Sequence, residues 1–211
     1  MTRIVYLHGF ASGPQSTKAR FFRGRFAGLG VRVDIPSLDR GDFKNLTITD
    51  QLEIVDDTVG GENVALMGSS LGGYLAALYA ARNVNIQRMV LLAPAFQFPS
   101  RWSRRFSPTE FEEWKRTGVR RFYHYAYTDD RPLGYQFVED AVQYEDEPDF
   151  AQPALILHGA RDEVVPVEAS EQFAARHANA VLKVVPSGHE LNDVLELLWS
   201  ETAMFLGFQN L

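Results

Sequence analysis

Six short apolar runs recur along the chain, each rich in aliphatic or β-branched residues and bounded by turn-forming residues. They cover residues 4–7, 31–35, 64–67, 89–92, 154–157 and 181–185. Their hydrophobicity is continuous rather than alternating, which is typical of strands that are buried on both faces of a parallel sheet. This feature constrains the fold more than any other, because it favours a sheet that is covered by helices on both sides.

The segments between these runs have helical spacing. Two leucine triplets have the i, i+4, i+7 spacing of one helix face: Leu71, Leu75 and Leu78, and, in the predicted last helix, Leu191, Leu195 and Leu198. Weaker patterns predict helices over residues 15–29 and 50–59. Alternating strands and helices join as right-handed βαβ units, so we expect an α/β fold with three layers and a mostly parallel sheet.

The composition fits one globular domain over residues 1–211 and excludes several chemistries. The 211 residues include no cysteine, which removes disulfides, thiolate metal sites and a cysteine nucleophile. The net charge of −6 argues against nucleic acid as a partner, and no apolar run is long enough for a membrane span. The N-terminal sequence lacks a signal-peptide pattern, so we expect a cytoplasmic enzyme.

One stretch, at about residues 97–150, interrupts the alternation and is much longer than a crossover helix requires. It contains 13 of the chain's 26 aromatic residues. Long insertions between core strands commonly cover a site, so we interpret this stretch as a small aromatic-rich cap. The alternative is an extra packing layer whose aromatic side chains form their own core, and the two interpretations are compatible.

The string Gly68-Ser69-Ser70-Leu71-Gly72 matches the G-x-S-x-G pattern of a nucleophile elbow and lies between a predicted strand and a predicted helix. Such a tight turn requires glycine where side chains would meet the neighbouring backbone. It exposes the central hydroxyl at the carboxyl end of the sheet, where open α/β sheets bind ligands. We therefore predict Ser70 as a nucleophile. The alternatives are a turn without chemistry and Ser69 as the reactive hydroxyl.

A serine nucleophile needs a base, and the base needs an acid that orients it. His189 follows the last predicted strand, at the same sheet edge as Ser70, and is the predicted base. Asp162 follows the preceding strand and is the predicted acid, with Glu163 as the alternative. His158 lies at the end of that strand and is interpreted as a buried or structural turn residue.

Two backbone N–H groups are predicted to form an oxyanion hole. One belongs to Leu71, directly after the nucleophile, and the other to Phe10, in the loop after the first strand. Predicted substrate contacts come from these loops and from the start of the cap: His8, Gly9, Ser69, Phe96 and Trp102. For His8 the favoured interpretation is that its ring nitrogens order the loop, and contact with a ligand is the alternative.

The cap is divided by charge. Residues 101–121 contain seven basic and three acidic residues, whereas residues 139–149 contain six acidic residues. One interpretation is two solvated faces, or mutual pairing across the cap. The sharper hypothesis is that the basic stretch attracts an acid-bearing ester or an anionic acyl carrier.

These motifs together resemble the α/β-hydrolase superfamily and, within it, the small YqiA-type esterases. The similarity is carried by YLHGFASGPQSTKA at 6–19, MGSSLGGY at 67–74, HGARDEVVP at 158–166 and SGHE at 187–190. The resemblance implies hydrolysis of carboxylic esters or thioesters without a cofactor. It also implies a triad of Ser70, Asp162 and His189, with the amides of Phe10 and Leu71 as the oxyanion hole.

We therefore expect a serine hydrolase that cleaves a small-molecule acyl ester or thioester through an acyl-enzyme intermediate. Thioesterase, peptidase and lactonase activities use the same triad and are alternatives, as is a non-catalytic ligand-binding module. A metallohydrolase is disfavoured, and no metal site is expected, because no two histidines have ligand spacing within an acidic cluster.

Overall fold

The computed structural model describes residues 3–208, which form eight strands. The strands are β1 (Arg3–Leu7), β2 (Arg32–Asp34), β3 (Val64–Ser69), β4 (Ile86–Leu92), β5 (Val119–His124), β6 (Asp129–Gly134), β7 (Ala154–Gly159) and β8 (Ala180–Val185). Six of them form one parallel sheet in the order β2-β1-β3-β4-β7-β8. These six are the strands predicted from the apolar runs, and the parallel α/β class is confirmed.

Eight α-helices accompany the strands: α1 (Thr17–Ala27), α2 (Ile48–Val59), α3 (Leu71–Ala80), α4 (Phe98–Arg104), α5 (Pro108–Thr117), α6 (Gln136–Ala141), α7 (Val167–Arg176) and α8 (Leu195–Leu206). Helix α2 begins where the Thr47 side chain accepts a hydrogen bond from the Asp50 amide, and it ends at Gly60, which has a φ of +61°. These are ordinary stop and start signals for a helix of this length.

The two faces of the sheet are covered by different helices. One face packs against α1 and α8 through side chains such as Phe22 and Leu198. The other packs against α2, α3 and α7, for example through Leu75 and Phe173. The three predicted layers are therefore present. The inner strands β1, β3 and β7 are buried along most of their length, whereas the edge strands β2 and β8 are partly exposed.

The predicted last helix is wrong at its beginning. Leu191 lies outside α8, with a left-handed φ of +56°, and a short 3₁₀ turn (Asn192–Val194) separates it from Leu195. Leu191 and Leu198 are nonetheless both buried against the same face of the sheet. The leucine spacing thus reflects burial against one face of the sheet and not a single continuous helix.

The insertion between β4 and β7 consists of α4, α5, the antiparallel hairpin β5–β6, and α6. The hairpin is an element that the sequence pattern did not predict. Aromatic side chains of this insertion, the cap, belong to the same hydrophobic cluster as α2, α3 and α7, with Trp102, Trp114 and Phe137 buried. The cap therefore shares its core with the sheet domain instead of folding over a separate one.

Acidic residues of the stretch 139–149 bind to the sheet domain rather than to the basic stretch of the cap. The Asp140 carboxylate accepts hydrogen bonds from the amides of Ile48 and Thr49 at 2.7 and 3.0 Å, at the N-terminus of α2. Glu145 forms a two-pronged ion pair with Arg82, at 2.9 and 2.8 Å. A carboxylate at a helix N-terminus is favoured by the helix dipole, so these contacts fasten the cap to the sheet domain.

Candidate active site

Ser70 occupies a strained turn between β3 and α3. Its φ of +54° lies in the left-handed region, which is unusual for a residue with a side chain. A Cβ at Gly68 would overlap the backbone of Gly72, and a Cβ at Gly72 would overlap the Leu7 carbonyl. Glycine is therefore required at both positions for the strand, the turn and β1 to come this close. The turn has the geometry of the predicted nucleophile elbow.

A chain of hydrogen bonds joins Ser70 to His189 and Asp162. The distance between His189 Nε2 and Ser70 Oγ is 2.9 Å, and that between His189 Nδ1 and Asp162 Oδ2 is 2.7 Å. Ser70 follows β3, Asp162 follows β7 and His189 follows β8, so the three meet at the carboxyl edge of the sheet. The structure thus brings together all three residues that the sequence predicted.

Asp162 is buried as an anion and is surrounded by donors. Its Oδ1 accepts from the amides of Val164 and Val165 at 2.9 and 2.8 Å, while its Oδ2 faces His189 and, at 3.1 Å, His158 Nε2. Burial opposes ionisation, but the hydrogen bonds from His158, His189 and Val165 outweigh it and hold the Asp162 pKa well below its usual range. A permanently charged Asp162 favours the proton on Nδ1 of His189 and leaves Nε2 to act on Ser70.

Residues 8–13 follow β1 and are here called the β1 loop. A Cβ at Gly9 would lie 3.3 Å from the Ser69 carbonyl and 3.4 Å from the Ser70 Cβ, so this loop runs directly against the elbow. Within residues 3–208, the amides of Phe10 and Leu71 donate to no other protein group. Both amides are therefore available to a ligand oxygen beside Ser70.

The cap holds the β1 loop in place. The Phe10 ring packs edge-on against Trp102 and Phe122 of the cap, with centroid distances of 5.1 and 5.4 Å. The amide of Tyr125, in the hairpin turn, donates to the Ala11 carbonyl at 2.8 Å. The position of the Phe10 amide thus depends on the cap as well as on the sheet.

Two of the predicted substrate contacts need correction. Both ring nitrogens of His8 are engaged within the protein, with Nε2 accepting from the Leu38 amide at 3.2 Å and Nδ1 lying 3.0 Å from the Gly9 carbonyl. This placement agrees with the favoured interpretation, that His8 orders the loop, and not with its alternative of ligand contact. Phe96 is fully buried and stacks on Phe173 at a centroid distance of 4.0 Å, so it is part of the core.

The remaining predicted contacts stay close to the elbow. Gly9 and Ser69 adjoin Ser70, although Ser69 is itself buried. Trp102 packs on Phe10, and its buried indole N–H has no hydrogen-bond partner among the described residues. These three residues remain candidates for contact with a substrate.

Lys18 is a nearby residue that the sequence argument missed. Its ammonium donates to the carbonyl of Glu190, the residue directly after His189. Burial lowers the pKa of Lys18 to about 8, against the opposing charges of Glu190 and Asp162. The only sequence signal was its place in the string at 6–19, where its distance from His189 along the chain concealed the contact.

The family model of an uncharacterised protein family, UPF0227, matches residues 3–206. The chain belongs to this family. Among solved structures, Est1E from Butyrivibrio proteoclasticus with ferulic acid bound superposes with a TM-score of 0.84 and 23% sequence identity, covering 99% of this chain and 89% of that one. The α/β-hydrolase resemblance and its relation to YqiA-type proteins are confirmed by this family and fold.

Two further structures have the same fold. Mouse alpha/beta hydrolase domain-containing protein 10 matches with a TM-score of 0.80 and 19% identity over 98% of this chain and 90% of that one. A putative hydrolase from Agrobacterium vitis matches with a TM-score of 0.77 and 24% identity, over 97% and 87% of the two chains. The chain therefore has the α/β-hydrolase fold.

The described residues contain neither a metal-binding cluster nor a membrane-spanning helix. Across residues 3–208, no group of three or more histidine, aspartate and glutamate side chains is placed to hold a metal ion. In the same range, no helix has both the length and the apolar character needed to cross a bilayer.

Proposed function

We propose that this member of UPF0227 is a serine hydrolase that cleaves carboxylic esters through an acyl-enzyme intermediate. The observation that carries the proposal is the continuous hydrogen-bonded chain from Ser70 through His189 to Asp162. Structural neighbours described as esterases and lipolytic enzymes support the same reaction class. The conjunction of these side chains with two open backbone amides favours acyl transfer over simple ligand binding.

In the first step His189 Nε2 removes the hydroxyl proton of Ser70 as Oγ attacks the acyl carbon. The amides of Phe10 and Leu71 donate to the oxyanion that develops on the acyl oxygen. His189 then passes its proton to the leaving-group oxygen, and the alcohol departs. Asp162 stabilises the imidazolium that exists between these two proton transfers.

In the second step water replaces the alcohol. His189 takes a proton from the water, whose oxygen attacks the acyl carbon of the Ser70 ester. The second oxyanion uses the same two amides. Collapse of this intermediate returns the proton to Ser70 Oγ and releases the carboxylic acid, so the cycle needs no cofactor.

The substrate is a small acyl ester whose acyl group lies beneath the cap. Phe10 and Trp102 border the elbow with aromatic surface, which favours an apolar or aromatic acyl group. Thioesters, lactones and amides would enter the same two-step cycle. Their relative rates depend on the leaving group and on the shape of the pocket.

A fluorophosphonate probe tests the proposal, since it reacts with a serine only when the serine is activated. Intact-mass spectrometry of wild type is expected to show one covalent adduct, which is absent in Ser70→Ala and retained in the matched control Ser69→Ala. Hydrolysis of p-nitrophenyl esters is expected to be lost in Ser70→Ala and kept in Ser200→Ala, which changes an exposed serine on α8. Absence of an adduct on wild type, or its persistence in Ser70→Ala, would overturn the proposal.

A further inference from the structure

A second histidine contacts the same carboxylate oxygen of Asp162 as His189 does. His158 lies in β7 and is fully buried. Its Nε2 donates to the Val165 carbonyl at 2.9 Å and lies 3.1 Å from Asp162 Oδ2, and its Nδ1 is 2.7 Å from the Ser170 hydroxyl. A continuous series of polar contacts therefore runs from Ser70 to Ser170.

The partners of His158 determine where its protons lie. The Val165 carbonyl and the charged Asp162 both only accept, so Nε2 must carry a hydrogen. In the neutral ring Nδ1 is then an acceptor, and the Ser170 hydroxyl supplies the proton that it accepts. Every polar atom of this buried ring is thereby satisfied without an additional charge.

We infer that His158 is a positioning residue that fixes the Asp162 carboxylate in the orientation in which it can hold His189. The inference rests on the proposed function. Oδ2 of Asp162 is shared by two imidazole donors, and His158 is anchored in turn by Ser170 on α7. A carboxylate on a loop would otherwise keep only the amides of Val164 and Val165 as fixed donors.

The kinetic test compares His158→Leu with His158→Gln. Leucine fills the space without a donor, whereas the glutamine amide has an N–H near the position of Nε2. We expect His158→Leu to lower kcat about ten- to a hundredfold with little change in KM, the range seen when a second hydrogen-bonded partner is removed. His158→Gln is expected to restore kcat in part.

Equal losses of kcat in the two variants would show that His158 only fills space and would overturn the inference. Because a variant of a buried residue can fail to fold, a second measurement uses wild-type and Ser70→Ala protein labelled with ¹⁵N-histidine. The spectrum is expected to show His158 with Nε2 protonated and Nδ1 bare. A His158 ring that carries its proton on Nδ1 would contradict the inference.

The outcomes for this inference and for the proposed function are separable. Failure of the fluorophosphonate probe to label wild type would remove the esterase proposal but leave the nuclear magnetic resonance signature of His158 unchanged. Labelling at Ser70 together with kinetics that are indifferent to the donor at position 158 would remove only the inference.

Discussion

The backbone amide of Tyr125, in the turn of the cap hairpin, donates a 2.8 Å hydrogen bond to the carbonyl of Ala11 in the β1 loop. One residue earlier in that loop, the Phe10 ring is inserted among aromatic side chains of the cap. The cap thus contacts the β1 loop directly. It holds the loop whose amide is proposed to stabilise the oxyanion, so changes in the cap are expected to alter kcat and not only substrate affinity.

Phe10→Ala tests this dependence. The amide remains, but the loop loses the ring that anchors it, so we expect kcat to fall about tenfold or more and the unfolding free energy to fall by about 2 kcal/mol. The measurements are ester kinetics and urea unfolding. The matched control is Phe21→Ala, a partly buried ring on α1 that packs on the other face of the sheet. It is expected to lose stability without losing kcat, and an equal loss of kcat in both variants would refute the coupling.

Two glycines, Gly72 in the elbow and Gly24 in α1, are expected to respond in opposite ways to replacement by alanine. Gly72→Ala is expected to destabilise the protein by about 3 kcal/mol or to prevent folding, because its Cβ would overlap the Leu7 carbonyl at the carboxyl end of β1. Gly24→Ala, within α1, meets nothing within 4 Å and is expected to stabilise by about 0.5–1 kcal/mol. Thermal and urea unfolding measure both, and similar effects of the two changes would contradict the packing argument.

The sequence predicted the sheet well because its inner strands β1, β3 and β7 are almost wholly buried and therefore apolar. It predicted Ser70, Asp162 and His189 because each lies within a few residues of the end of a strand, and parallel strands end at one edge. The predicted ends of the elements were less accurate where a buried residue lies outside the helix whose packing it shares. Leu191 is an example, because it packs with residues of α8 but precedes that helix.

The cap was recognised only as an aromatic insertion. In its hairpin, β5 alternates partly buried and exposed residues, and β6 begins with three exposed residues and contains Pro132, so no continuous apolar run marks it. The contact of Lys18 depends on α1 approaching the loop of His189 in space, which spacing along the chain does not report. The contacts of His158 are with residues 4 to 12 positions later and depend on the path of the loop after β7. Phe96 was assigned to the pocket because it precedes the cap, whereas its ring turns into the core against Phe173.

Lys18 makes stability depend on pH in a defined direction. Its pKa is lowered from 10.5 to about 8 in the folded protein, so between these values the unfolded chain binds more protons than the native one. Burial of the charged Lys18 side chain lowers the unfolding free energy at neutral pH. This loss is recovered as the pH rises from about 8 towards 10.5. The unfolding free energy of wild type, relative to Lys18→Met, is expected to increase across this window.

Urea unfolding at pH 7.5, 9 and 10 measures that difference. Lys115→Met is the matched control, since Lys115 is an exposed lysine on α5 and its replacement is expected to leave the difference from wild type flat. A Lys18→Met difference that is constant or falls with pH would show that burial of Lys18 does not perturb its ionisation.

The charge distribution of the cap leads to a prediction about substrates. Acidic residues of the stretch 139–149 are paired with core arginines, such as Glu145 with Arg82, so they do not neutralise the basic stretch 101–121. Within the described residues, Arg101 forms no ion pair with a carboxylate, and it donates to the Val164 carbonyl at 3.3 Å, beside the loop of Asp162. Unneutralised positive charge near the elbow favours an ester that carries an acid.

We expect kcat/KM for an ester with a carboxylate on its acyl chain to fall about two- to fivefold between low and high salt, while a neutral ester of equal chain length changes little. Arg101→Gln is expected to remove most of this difference, whereas Arg116→Gln, an exposed change on α5, is expected to preserve it. The same salt dependence for both esters in wild type would mean that the basic stretch is only a solvated face of the cap.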